Sequence, residues 1–135
     1  MNLDHKRLVL TGASSGIGRA LLHQLSRLPV QVVAVGRDET RLREAVDATG
    51  ATQARILPFP CDLAQQEEVD RLFVYAVVQM GGIDIFVANA GFAYWEPVQE
   101  PDRGRSEAIF QTNVFSPLYP AQKLHTLSTE LTIVC

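Results

Sequence analysis

Apolar positions along this chain alternate between two rhythms. Short continuous runs have the length and branched content of buried strands. They are Leu8-Val9-Leu10, Val30 to Val35, Ile83 to Ala88 and Leu131 to Val134. Arg55 to Phe59 makes a further strand, and Pro58 puts it at or near a sheet edge because proline donates nothing to a ladder. Between the runs the period lengthens to that of a helix. Ile17, Leu21, Leu25 and Leu28 fall on one face of a helix over Gly16–Leu28, which stops before Pro29. Leu42, Ala45, Val46 and Thr49 define a second helix, with Asp38 as N-cap and Gly50 at its end. Val69, Leu72, Phe73, Ala76, Val77 and Met80 form the best helical stripe of the chain, closed by Gly81-Gly82. Another helix is expected from about Arg103. Strand and helix alternate through to a fifth strand, which predicts an α/β fold. Its expected form is a doubly wound parallel sheet with right-handed crossovers and helices on both faces, three layers in all.

Composition narrows the possibilities without changing that picture. The 135 residues are 47% hydrophobic, enough for one domain with a real core. A net charge of −3 disfavours nucleic acid or an anionic membrane surface as partner. No apolar run approaches membrane-spanning length, and the polar start from Met1 to Arg7 is unlike a signal peptide. Cys61 and Cys135 lack metal-site spacing and suggest no disulfide framework, so a reducing cytoplasmic setting is expected. His5, His23 and His125 show no metal spacing either, and no metal site is expected.

The chemistry begins where the first strand ends, at Thr11-Gly12-Ala13-Ser14-Ser15-Gly16-Ile17-Gly18. A strand, a glycine-rich turn and an amphipathic helix open a nucleotide-binding βαβ unit of the Rossmann type. Pyrophosphate can rest on a helix N-terminus only where N–H groups point at it and no Cβ obstructs the approach. Gly12 permits the tight exit from the strand, Gly16 the approach of the phosphates, and Gly18 the close packing of the helix. Ser14 and Ser15 add hydroxyls that can donate to phosphate or ribose. The spacing G-x-x-x-G-x-G differs from both the common G-x-G-x-x-G fingerprint and the P-loop.

Ligands of such sheets sit outside the carboxyl ends of the strands, so each strand exit is informative. Gly36 and Arg37 follow the second strand, where an NAD site carries an acidic residue for the ribose 2′-OH. A guanidinium suits a 2′-phosphate instead, which favours NADP(H) over NAD(H); the alternative is a solvated arginine. Asp62 and Leu63 follow the third strand. Asp62 can accept from an adenine amino group, cap the next helix, or do both. Asn89-Ala90-Gly91 follow the fourth strand, with small residues that let a ribose or nicotinamide come close to the backbone. A loop carrying Tyr94 and Trp95 lies on the expected substrate side.

These motifs, with Asn113 within Phe110-Gln111-Thr112-Asn113-Val114, resemble the short-chain dehydrogenase/reductase family along essentially the whole chain. The resemblance implies a nicotinamide cofactor held by Gly12, Ser14, Ser15, Gly16, Ile17, Gly18, Arg37, Asp62, Leu63, Asn89, Ala90 and Gly91. It further implies hydride transfer between an alcohol and a ketone or aldehyde, a small-molecule substrate, and Asn113 as a catalytic residue. The family's Ser and Tyr-x-x-x-Lys would follow the fifth strand. They are not found in the 135 residues, so these are expected to be an incomplete dinucleotide-binding domain, truncated at about the fifth strand and inactive alone. Tyr119 to Lys123 matches Tyr-x-x-x-Lys, with Ser106 upstream, but it precedes the fifth strand and inverts the family order around Asn113. Pro117 and Pro120 leave the length of that helix open. The competing reading is a non-catalytic nucleotide-binding or interaction module. An unpaired apolar strand at the sheet edge would invite a second chain, so a homo-oligomer is expected.

Overall fold

The computed structural model describes residues 2–91, 103, 104, 107 and 132–134. In chain order the elements are β1 (Arg7–Thr11), α1 (Gly16–Leu25), β2 (Gln31–Gly36), α2 (Glu39–Asp47), β3 (Arg55–Pro60), α3 (Gln66–Met80), β4 (Ile85–Val87) and β5 (Thr132–Val134). The strands form a parallel sheet in the order β3-β2-β1-β4-β5. The order reverses between β1 and β4, and that reversal opens a crevice at the strand ends.

Strand geometry sorts the core into two layers, because successive side chains leave opposite faces. Leu8, Leu10, Val32, Ala34, Ile85 and Val87 meet α1 and α2 through Leu22, Leu25, Leu42 and Ala45. Val9, Val33, Val35 and Phe86 point the other way and pack against α3 through Val69, Leu72, Phe73 and Ala76. Each fully buried leucine here is worth about 2 kcal/mol of transfer free energy. Strands apolar on both faces are thus explained by helices on both faces.

β3 forms the outer edge beside β2, as Pro58 predicted. Arg55 N–H donates to Val30 C=O and Cys61 N–H to Gly36 C=O, each at 2.9 Å. In that register alternate residues donate inward, so Ile56, Pro58 and Pro60 hold the outward positions. Two of those three positions carry no N–H at all.

Several boundaries differ from the sequence expectation. α1 ends at Leu25, before the Leu28 that Pro29 would allow. Ser26 is buried, its hydroxyl donates to His23 C=O at 2.7 Å, and its own C=O accepts Gln53 N–H at 3.0 Å. The Ser26 hydroxyl takes the His23 carbonyl that Arg27 N–H would otherwise claim, and Arg27 N–H bonds Gln24 C=O instead at 3.3 Å. β4 spans Ile85–Val87, shorter than the apolar run, because Asn89 N–H turns back to Val87 C=O at 3.1 Å. α3 begins at Gln66, and Gly81 ends it in the left-handed conformation at φ 79°.

At the opposite end of the sheet, Arg7 and Asp84 join β1 to the chain entering β4. Asp84 Oδ2 accepts both the N–H and the Nε–H of Arg7 at 2.9 Å, and Oδ1 accepts from Nη2 at 2.8 Å. The side-chain hydrogen bond from Arg7 holds the Asp84 carboxyl below its ordinary range against the opposing effect of burial.

Candidate functional site

The site is built around the exit of β1. Gly12 leaves the strand at φ 68°, and Ala13 N–H is held by Val35 C=O of β2 at 2.9 Å. Ser15 is the N-cap of α1 in extended conformation, and its hydroxyl makes no capping bond. The first intrahelical bond runs from Arg19 N–H to Ser15 C=O at 3.2 Å. The N–H groups of Gly16, Ile17 and Gly18 therefore precede the ladder and form the positive end of the helix. Gly16 has φ 55° with open space where a Cβ would stand, and Ile17 is 79% exposed. No other part of the described chain blocks an anion's approach at that point. Gly18 answers a different constraint. A Cβ there would sit 1.9 Å from the Gly12 carbonyl oxygen and 2.5 Å from Asn89 Nδ2. Its close packing is against the turn itself.

Thr11 fixes the turn to the neighbouring strand exit. Its buried hydroxyl donates to Val87 C=O at 3.1 Å and accepts the N–H groups of Asn89 and Ala90, each at 3.0 Å. Asn89 completes the splice, Nδ2 donating to Gly12 C=O at 3.3 Å. Asn89 thus acts beneath the pocket, and Ala90 and Gly91 line it. A threonine closing an apolar strand was the sequence signal for this splice; its role as the anchor was missed because its acceptor lies on β4 and its donors just beyond it.

A cleft of about 160 Å³ opens between the exits of β1, β2 and β3. Gly12, Ser14, Arg37, Asp62, Leu63, Ala90 and Gly91 line it, as do Val35, Gly36 and Cys61, which sequence reasoning did not assign to the site. A Cβ at Gly36 would lie 3.2 Å from the Ser14 side chain, a tight contact that glycine avoids. Arg37 is exposed at the rim. The neighbouring Asp38 is engaged elsewhere, its carboxylate accepting Arg41 N–H at 3.0 Å as the N-cap of α2.

Asp62 does not cap α3 directly. Its Oδ1 accepts Ala64 N–H at 3.0 Å, its C=O accepts Gln65 N–H at 3.0 Å, and the helix starts only at Gln66. The local Asx turn outcompetes the cap. Glu68 reaches back from the first turn of α3 and accepts the Asp62 N–H. Cys61 lies buried beside them, and its thiol is pushed up from 9.0 to about 12, chiefly by burial and then by the negative charges of Glu68 and Asp62.

These residues fit a dinucleotide. The enclosed volume is below the roughly 300–1,000 Å³ of a whole small-molecule pocket, so it suits one end of the molecule. The glycine turn beside it offers N–H groups of the kind a pyrophosphate needs. Among the described residues no group of three or more His, Cys, Asp or Glu is arranged to hold a metal, and no helix is long and apolar enough to cross a membrane. Asn113, Tyr94, Trp95, Ser106, Tyr119, Lys123, His125 and Cys135 lie outside the described residues.

Known proteins share this architecture. A fatty acyl-CoA reductase of Mycobacterium tuberculosis is 38% identical over 120 residues, which cover 87% of this chain and 41% of that protein. Farnesol dehydrogenase of Aedes aegypti is 31% identical over 123 residues, covering 89% of this chain and 50% of its own length. L-Sorbose reductase of Gluconobacter frateurii, solved with NADPH and L-sorbose, superposes with a TM-score of 0.86 at 30% identity, over 93% of this chain and 48% of that one. The chain spans about half the length of the curated relatives it matches. The model of the short chain dehydrogenase family matches residues 6–129, and the chain belongs to that family of oxidoreductases.

Proposed function

We propose that these residues are the cofactor-binding half of an NADP(H)-dependent oxidoreductase that acts on a small alcohol or its ketone or aldehyde. The observation that carries this reading is the exit of β2. Gly36 and Arg37 line the cleft, and the carboxylate that follows them, Asp38, accepts Arg41 N–H through Oδ1 as a helix cap. A guanidinium there attracts a 2′-phosphate, where an NAD site would carry an acidic residue for the ribose 2′-OH. The cofactor, when bound, supplies or accepts the hydride. Gly16, Ile17 and Gly18 would hold its pyrophosphate, Asp62 and Leu63 its adenine, and Ala90 and Gly91, braced by Asn89 beneath them, would form the wall of its nicotinamide side. The NADPH in the solved L-sorbose reductase is in keeping with this choice. Asn113 is the one residue of these 135 to which the family resemblance gives a catalytic role. The fragment alone is therefore inactive, and proton transfer by an acid/base worth roughly 10²–10⁴-fold is lacking. A cytoplasmic setting and a homo-oligomeric assembly complete the proposal.

Titration of the protein with NADPH and NADH by calorimetry tests the reading. Tighter binding of NADPH, competed by adenosine 2′-phosphate but not by adenosine 5′-phosphate, is expected. Equal affinity for the two cofactors overturns the NADP(H) assignment, and binding of neither overturns the site.

A further inference from the structure

We infer that Glu68 is a positioning residue for the purine end of the cofactor, fixing the Asp62-Leu63 segment as a rigid edge that selects a ring carrying an amino group. The inference rests on the cofactor reading above. Glu68 is the third residue of α3, whose N-cap Gln65 contributes no side-chain bond. A glutamate at that position ordinarily bonds back to the N–H of the cap residue itself. Here Gln65 N–H is already taken by Asp62 C=O, and Glu68 reaches past it to the Asp62 N–H.

Asp62 is thereby held at its N–H, its C=O and its Oδ1. No hydrogen bond to Oδ2 is present among the described residues, and Asp62 and Leu63 both line the cleft. Two carboxylates flanking a buried, un-ionised thiol make this corner negative. A ligand edge that offers N–H donors is favoured there, and one that offers a carbonyl oxygen is repelled. Adenine presents an amino group at its six-position, whereas hypoxanthine presents an oxygen. Glu68 touches neither ring. It acts by keeping Asp62 from turning away.

Cofactor binding discriminates these roles. Dissociation constants for NADPH and for its hypoxanthine analogue are measured on the wild type, Glu68→Gln, Glu68→Asp and Glu68→Ala, with a melting curve for each. The wild type is expected to prefer NADPH by about tenfold, the yield of one satisfied hydrogen bond. Glu68→Ala and Glu68→Asp, which cannot reach the Asp62 N–H, bring the ratio to within about twofold of unity, while the analogue binds nearly as before. Glu68→Gln still accepts that N–H and keeps most of the preference. If Glu68→Ala fails to fold, Glu68→Asp carries the comparison. An unchanged ratio in the folded variants, or an equal loss of both cofactors, overturns the role of Glu68 and leaves the cofactor reading standing. A wild type that binds both equally overturns the purine edge, and one that binds neither overturns the site with it.

Discussion

The hydroxyl of Thr11, at the end of β1, accepts the backbone N–H of Asn89, beyond the end of β4, at 3.0 Å. With its bonds to Ala90 N–H and Val87 C=O, this one side chain determines the spacing of the two strand exits between which a nicotinamide would lie. Thr11→Val keeps the shape and removes all three bonds. It should cost about 2–3 kcal/mol by thermal or denaturant unfolding, because the polar groups left behind are partly shielded from water. Thr11→Ser should retain most of the stability.

The glycines of the turn are expected to separate when each is replaced by alanine. Gly18→Ala forces a Cβ into the Gly12 carbonyl at 1.9 Å, a backbone contact that cannot yield by a rotamer change. A loss of about 3 kcal/mol or more in stability is expected. Gly16→Ala meets no neighbour and incurs only the left-handed backbone at φ 55°, about 1–2 kcal/mol. Its larger effect should fall on NADPH affinity, since the methyl group stands on the approach of the phosphates. Calorimetry beside melting curves distinguishes the two.

Arg37→Ala should weaken NADPH binding by about 10- to 100-fold, the worth of a charge-assisted pair, and leave NADH within about twofold. Equal loss of both cofactors would show that Arg37 does not read the 2′-phosphate.

Asp84 makes stability depend on acid. Its carboxyl titrates below the ordinary 3.8 in the folded chain, so the native state favours the ionised form. That contribution is present above about pH 4 and is lost as pH falls through the depressed folded value. Asp84→Asn should lower stability at pH 7 by about 1–2 kcal/mol, a modest figure because the pair is partly exposed, and should flatten the acid limb of the curve.

Cys61 contributes to the alkaline limb. Its thiol stays protonated to about pH 12 when folded but ionises near 9.0 when exposed by unfolding. Between those values the group removes up to about 1.4 kcal/mol of stability per pH unit as pH rises. Cys61→Ala should lack that component. In a Cys135→Ser background, native Cys61 should resist alkylation at pH 8 and react only on unfolding.

The parallel sheet was legible because the strands are apolar runs of the right length, and Pro58 marked β3 as an edge; the strand order came only with the structure. The strand exits were legible too: Arg37, Asp62, Ala90 and Gly91 do converge on one cleft. The sequence was silent wherever a distant partner decided the outcome. Ser26 C=O at the end of α1 accepts from Gln53 in a distant loop, and Glu68 passes over Gln65 to reach Asp62. Periodicity reports the face a residue presents, not the remote group that will claim its hydrogen bond.

The two prolines on β3 carry a consequence for assembly. A neighbouring chain seeking to add a strand alongside β3 would find a donor at Ile56 and blank positions at Pro58 and Pro60. A ladder extended on that flank would lack two of the three outward donors along β3. Self-association that buries β3 is therefore expected to rest on side chains across a surface more than on backbone pairing.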